Sequence, residues 1–142
     1  MEQIFDLVKN REVYFVDTGR TILDTVRYMV ERNIGAVAVV VGDELVGIFS
    51  ERDLMKRVVS EARDPAATMI KDVMTEDPLV VSPHERIDEC MRLMKEHNFR
   101  HLPVCDGRKL KGLISLRDLI VHDLEQKDGE NQVMRAYISQ AS

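Results

Sequence analysis

The feature that most constrains this chain is an internal repeat. When the sequence is shifted by 65 residues, positions 21–54 align with positions 86–119 without a gap, and 13 of the 34 pairs are identical. The two strings GIFSERDL (47–54) and GLISLRDL (112–119) end the match. Self-similarity of this length indicates two copies of one supersecondary unit.

Each copy predicts the element order β-α-β-β-α. A short β-rich run precedes an amphipathic segment with helical spacing, which is followed by two apolar runs joined by a Gly-containing turn, and then by a second helix. The predicted β-runs lie at 13–16 and 78–81, the strands at 36–41, 45–49, 101–105 and 110–114, and the turns at 42–43 and 106–107. Ser82 with Glu85 predicts a capping box for the long helix of copy two, and Asn33 and Asn98 end the two long helices.

Three short strands and two helices enclose too little apolar surface to be stable alone. The sequence therefore predicts an α/β (α+β) fold, in which two β-α-β-β-α repeats pack sheet-to-sheet around a pseudo-twofold axis. The expected divisions are 1–62 (N-terminal helix and copy one), 63–72 (linker), 73–125 (copy two) and 126–142 (tail with a short helix). In the tail, Val133 to Ile138 show helical spacing and form a candidate contact surface.

Composition and charge narrow the functional class. Hydrophobic residues make up 44% of the 142 residues, charged residues 32%, and the net charge is −5. An acidic chain does not favour nucleic-acid binding, and no apolar run approaches the roughly 18 residues of a membrane span. The early acids predict no secretion signal, and Cys90 and Cys105 predict reduced core thiols, so we expect a cytoplasmic protein. The four histidines show no ligand spacing, so no metal site is predicted.

The repeated Ser-x-Arg-Asp cluster allows two interpretations. In the structural interpretation, Ser50 is a helix N-cap and Asp53 accepts a hydrogen bond from the free amides, while Arg52 is solvated. In the functional interpretation, the carboxylate binds the vicinal hydroxyls of a ribose, and the hydroxyl, guanidinium and helix terminus bind phosphate. Gly47 leaves room for a base or a close backbone. Because capping requires neither the Arg nor the Gly, their recurrence in copy two favours a nucleotide site.

From Val13 to about Leu124 the sequence resembles the cystathionine-β-synthase (CBS) domain family, as the tandem pair called a Bateman module. The resemblance is carried by the string NIGAVAVVVGDELVGIFSERDL and its counterpart that ends in GLISLRDL, and it is greatest to small stand-alone prokaryotic proteins. It implies that Asp53 and Asp118 bind ribose, and that Ser50 and Ser115 bind ribose or phosphate. Arg52 and Arg117 are then in reach of phosphate.

In this family each site is also lined by the first strand of the other copy. The resemblance therefore implies that Leu79 and Val80, with Thr75 nearby, complete the Asp53 site, and that Tyr14 and Phe15 complete the Asp118 site. Strand alternation predicts that only half of these four apolar residues face a ligand.

The two sites are not expected to be equal. Copy two has Arg100-His101 before its buried strand, where copy one has Gly35-Ala36. In similar family members a basic pair at this point binds phosphate, so the sequence favours phosphorylated ligands at Asp118. Because both sites face one cleft, the pair serves the Asp53 site in the alternative arrangement.

The resemblance implies a regulatory module that senses AMP, ADP or ATP, pairs as a homodimer and acts on a partner that the sequence does not identify. NAD(H) or an S-adenosyl compound satisfies the same ribose-carboxylate chemistry. A structural module with vestigial sites is a further alternative. The residues show no catalytic constellation, so the chain is not expected to be an enzyme.

Overall fold

The structure, a computed structural model, describes residues 2–127 and 138–139. Helices and short strands alternate in the order that the repeat predicts, with an additional turn of helix before each copy. The elements are α1 (Phe5–Val8), β1 (Phe15–Asp17), α2 (Ile22–Arg32), β2 (Ala36–Val41), β3 (Glu44–Ser50), α3 (Glu51–Asp53) continuing as a π-helix (Leu54–Val59), a 3-10 turn (Ile70–Asp72), β4 (Thr75–Glu76), α4 (Ile87–His97), β5 (His101–Asp106), β6 (Lys109–Ser115) and α5 (Leu116–Gln126).

The hairpin strands of the two copies pair in the same way, whereas their first strands do not. In copy one, β1 is parallel to β2, and β2 is antiparallel to β3. In copy two, β5 is antiparallel to β6, but the predicted first strand at 78–81 was wrong: only Val81 forms a bridge, parallel to Val104. Pro78 has no amide hydrogen, and Asp77 turns the chain at a φ of 44°, so the run cannot pair along its length. The neighbouring β4 instead pairs antiparallel with β3.

The two copies join at the ends of β3 and β6, where Glu44 pairs with Lys109. The amide of Leu45 donates to the carbonyl of Arg108 at 2.9 Å, and the amide of Leu110 donates to the carbonyl of Asp43 at 3.0 Å. Each bond maps onto the other under the 65-residue shift. A pseudo-twofold axis therefore passes through this junction, and the predicted α+β fold of two related repeats is confirmed.

Both hairpin turns begin at a glycine in the left-handed region. Gly42 has a φ of 64° and Gly107 a φ of 62°, which suits the first central position of a type II′ turn. The predicted turn at 42–43 is confirmed. The predicted turn at 106–107 was one residue early, because Asp106 still pairs with Lys109 and the turn lies at 107–108.

The two long helices end as predicted, at Asn33 and Asn98, which adopt left-handed conformations with φ of 53° and 57°. The predicted capping box of Ser82 was wrong. Helix α4 begins at Ile87, whose amide donates to the Glu2 carbonyl at 3.3 Å, so the N-terminal segment supplies an acceptor to this helix end. The hydroxyl of Ser82 accepts from the His84 amide at 3.1 Å instead.

Each copy has its own apolar core, and the segment before the other copy completes it. Ile70 and Val73, where the chain enters copy two, are buried in the core of copy one; Ile4 and Val8, where the chain enters copy one, are buried in the core of copy two. The core of copy one also holds Val16, Ile22, Met29, Val37, Val39, Phe49 and Val58, and that of copy two holds Val81, Ile87, Cys90, Met94, Leu102, Val104, Ile114 and Leu119. The segments at 4–8 and 70–73 thus cross between the copies.

In residues 2–127 and 138–139, no helix combines the length and apolar character needed to cross a membrane. The tail helix predicted from Val133 lies, apart from Ile138, outside the described residues.

Replacing Ile70 by alanine should reduce the free energy of unfolding by about 2–5 kcal/mol, because it leaves a cavity in the core of copy one. The control Lys71→Ala, in the same turn but exposed, should change it by no more than about 0.5 kcal/mol. Chemical denaturation measures both. Equal losses in the two variants would show that 63–72 is only a linker.

Candidate functional site

The two Ser-x-Arg-Asp clusters are capping boxes. Ser50 Oγ accepts from the Asp53 amide at 3.2 Å, and the Ser50 amide donates to Asp53 Oδ2 at 2.9 Å. In copy two the Asp118 amide donates to Ser115 Oγ at 3.0 Å, and the Ser115 amide donates to Asp118 Oδ2 at 2.9 Å. The structural interpretation of the motif is confirmed. Since each cap uses Oδ2, the other carboxylate oxygen, Oδ1, faces different partners in the two copies.

A cavity of about 240 Å³ adjoins Asp53 and is lined by both copies. It brings together seven of the predicted site residues: Ser50, Arg52, Asp53, Thr75, Leu79, Arg100 and His101. Its other lining residues are Gly35, Ile48, Glu51, Pro78, Asn98, Phe99 and Pro103. The cap residue Ser50 and helix α3 therefore face apolar and basic groups that come from the other copy.

The Oδ1 atom of Asp53 makes only long contacts. The Thr75 hydroxyl lies 3.4 Å away, and Nε of Arg57 lies 3.8 Å away. Arg57 directs its Nη1 to the carbonyls of Val73 and Met74, at 3.2 and 2.8 Å. The crossing segment is thereby attached to the π-helix that follows Asp53, and Oδ1 remains available to a stronger donor.

The glycine of each motif adjoins the crossing segment. A Cβ on Gly47 would lie 2.5 Å from Met74 Sδ and 2.9 Å from the Thr75 carbonyl, and a Cβ on Gly112 would lie 2.9 Å from Val8 Cγ1. The predicted close approach is therefore made by the protein itself, through its own backbone and side chains.

Of the four predicted strand residues, one lines the cavity beside Asp53. This residue is Leu79, whereas Val80 does not line it. The ring of Tyr14 packs edge-on against Tyr28, with centroids 6.5 Å apart, and Phe15 is half exposed. Neither aromatic residue lines the pocket that contains Arg11 and Asp118, and their place in the Asp118 site stays a prediction.

Arg100 and His101 line the cavity that contains Asp53, which matches the alternative arrangement in the sequence analysis. The pKa of His101 is lowered, chiefly by burial, while the carboxylates of Asp118 and Glu51 oppose that shift. The imidazole is therefore mainly neutral at neutral pH, and it can donate one hydrogen bond without carrying a charge.

Glu51 is a cavity residue that the sequence motif did not predict. Its carboxylate lines the cavity, and Oε1 would lie 3.2 Å from a Cβ on Gly35. In copy two the matching residue is Leu116, which packs against the core. The repeat itself could have indicated Glu51, because copy one has an acid where copy two has an apolar residue.

The surroundings of Asp118 differ from those of Asp53. Nη2 of Arg11 donates to Asp118 Oδ1 at 2.7 Å, and the two side chains are 44% and 26% exposed. Arg117 and His122 adjoin this pair. Nothing in the sequence pointed to Arg11, because it lies 107 residues from its partner.

These contacts set the ionisation of Asp118. Burial pushes its pKa upwards, but the hydrogen bonds from Arg11 and Ser115 and the charge of Arg11 outweigh burial, so the pKa is lowered. The ionised form of Asp118 therefore stabilises the fold.

Comparison with protein-family models matches the CBS domain twice, at residues 4–60 and 70–125. Among curated proteins, the mitochondrial CBS domain-containing protein CBSX3 of Arabidopsis thaliana is 32% identical over 126 residues, which cover 85% of this chain and 61% of that protein. The chain thus spans less than two thirds of that relative.

Two solved structures are similar over most of this chain. A putative signal-transduction protein with CBS domains from Burkholderia ambifaria has a TM-score of 0.83 and 38% identity, covering 90% of this chain and 98% of its own. CBSX2 in complex with AMP has a TM-score of 0.73 and 26% identity, covering 89% of this chain and 98% of its own.

Replacing Arg11 by glutamine should raise the pKa of Asp118, measured by carboxyl NMR. The stabilisation by Arg11 should be about 0.5 kcal/mol above pH ~5, since the pair is partly exposed, and should disappear as the pH falls through the lowered pKa of Asp118. Arg20→Gln, which removes an equally exposed guanidinium near Asp17, is the control. An unchanged Asp118 titration in Arg11→Gln would contradict this account.

Proposed function

Because the chain belongs to the CBS domain family, as a tandem pair, we propose that it is a regulatory module that binds an adenosine nucleotide beside Asp53. The observation that carries the proposal is one cavity that combines this carboxylate with Arg100 and His101 of the other copy. The AMP complex of CBSX2 supports the same ligand class.

Each part of a nucleotide has a chemically suitable partner in the cavity. Ribose hydroxyls are donors, and Asp53 Oδ1 accepts without breaking the cap that holds Oδ2. Leu79 and Phe99 are partly exposed apolar side chains that suit a base. Arg52 and Arg100 suit a phosphate, because guanidinium groups bind its oxygens in pairs.

The proposal assigns Arg100-His101 to the Asp53 site rather than to the Asp118 site that the sequence favoured. The shared cavity supports this assignment. At Asp118 the guanidinium that contacts the carboxylate is that of Arg11.

The charges of the cavity favour a ligand with few phosphates. Two guanidinium groups, Arg52 and Arg100, face two carboxylates, Glu51 and Asp53, and burial keeps His101 mainly neutral. Such a balance suits AMP better than ADP or ATP, since each further phosphate meets Glu51 without a new cation. NAD(H) and S-adenosyl compounds share the ribose contact and belong in the binding panel.

The proposed output is a change in the packing of the two copies, because a ligand in the shared cavity contacts both.

That the chain forms a homodimer and acts on a regulated partner stays a prediction. Val30, Met55 and Val59 are exposed apolar residues on helices and are candidate contact surfaces for a second copy. Sedimentation equilibrium measures that assembly.

Replacing Asp53 by asparagine should weaken AMP binding at least tenfold, since a hydrogen bond to a charged acceptor contributes about 1.5–3 kcal/mol. Asparagine keeps an oxygen for the cap, so the fold is retained and thermal denaturation checks it. Isothermal titration calorimetry measures binding, with Asp43→Asn as the exposed control. Undiminished AMP binding in Asp53→Asn excludes this site. Absence of binding or thermal shift with any adenosine compound favours the vestigial alternative.

Replacing Glu51 by glutamine should strengthen ATP binding relative to AMP binding about fivefold, or about 1 kcal/mol, because it removes a negative charge near the phosphates. Glu61→Gln, an exposed acid outside the cavity, is the matched control. Competition of ATP with a fluorescent AMP analogue measures the ratio. The same ratio in both variants contradicts the role of Glu51. Loss of phosphate from ATP during the assay would indicate an enzyme instead.

A further inference from the structure

The N-terminal segment is attached to copy two along its length. The amides of Ile4 and Phe5 each donate at 2.8 Å, to the carbonyls of Glu85 and Pro83. The carboxylate of Glu2 contacts Nε2 of His122 in α5. These contacts fix the segment immediately before Arg11, so that its guanidinium reaches Asp118.

The same position in the other copy has no comparable cation. Val8 contacts Gly112 as Met74 contacts Gly47, so the two crossing segments correspond. Three residues beyond these contacts lie Arg11 in one segment and Asp77 in the other. An acid at that point cannot pair with Asp53, whose Oδ1 has only the long contacts described above.

We propose that Arg11 is an internal occupant of the Asp118 site, that it weakens the binding of an adenosine nucleotide there, and that it leaves the Asp53 site as the stronger of the two. This inference rests on the proposed function. Arg11 takes the Asp118 oxygen that ribose hydroxyls need, while the cap takes the other. A nucleotide at Asp118 must therefore displace a guanidinium that lies 2.7 Å from Oδ1, whereas the guanidinium of Arg57 lies 3.8 Å from Oδ1 of Asp53.

The residues around Asp118 determine which ligands the second site accepts once Arg11 is displaced. The residues that correspond to Arg100 and His101 are Gly35 and Ala36, which bring no donor side chain for phosphate. With Arg11 removed, the Asp118 site should bind adenosine and AMP with similar affinity, whereas the Asp53 site should prefer AMP.

Calorimetry with AMP on five full-length chains tests the inference. The wild type should show a stronger site beside Asp53 and a weaker one beside Asp118, and Arg11→Gln should strengthen the weaker site about twofold. Asp53→Asn should weaken the stronger site, and Asp53→Asn with Arg11→Gln should strengthen the Asp118 site by the same factor of about two. Asp53→Asn with Arg20→Gln, the matched control, should bind AMP as Asp53→Asn does.

The chemical shift of the Asp118 carboxyl in NMR locates the ligand of the weaker site, because direct contact moves that signal most. An affinity of the Asp118 site that does not change when Arg11 is replaced would overturn the inference while leaving the proposed function intact. So would weaker binding in Arg11→Gln, which would make Arg11 a ligand of the nucleotide rather than an occupant. A wild type that binds no AMP would overturn the proposed function itself.

Discussion

The crossing of the two segments is the constraint on which the rest of the structure depends. Ile70 closes the core of copy one and Ile4 closes the core of copy two, and both are fully buried. Neither copy can therefore bury its apolar face without the chain that precedes the other. The same crossing brings Thr75 to Asp53 and Arg11 to Asp118, so the segments that stabilise the cores also determine the surroundings of both carboxylates.

The shared backbone and the unshared side chains explain how a symmetric fold carries unequal sites. Backbone bonds follow the repeat, as the reciprocal pairs at Leu45 and Leu110 show. Some of the side chains that differ line the cavity: Glu51 corresponds to Leu116, and Arg100 to Gly35. The backbone hydrogen bonds do not require these side chains, so the side chains can differ between the copies. The side chains also determine the charge of the cavity.

The sequence was sufficient to predict what the repeat encodes locally. Helix ends at Asn33 and Asn98, the capping boxes and the paired strands follow from patterns a few residues long. The prediction of a strand at 78–81 was wrong because the composition of this run favours a strand, while Pro78 and the turn at Asp77 prevent continuous pairing. The prediction of a capping box at Ser82 was wrong because the acceptor for the Ile87 amide is the carbonyl of Glu2, far away in sequence. Arg11 was missed for the same reason: no local pattern records a contact across 107 residues.

The capping box and the proposed ribose site are compatible because a carboxylate has two oxygens. At Asp53 the cap fixes Oδ2 and thereby orients Oδ1, which meets only the distant Thr75 hydroxyl and Arg57. At Asp118 the cap is equally well formed, yet Arg11 accounts for Oδ1. The motif thus specifies where a carboxylate oxygen points, and the crossing segment specifies whether that oxygen is available. Two identical motifs can for this reason differ in ligand binding without any difference in their own geometry.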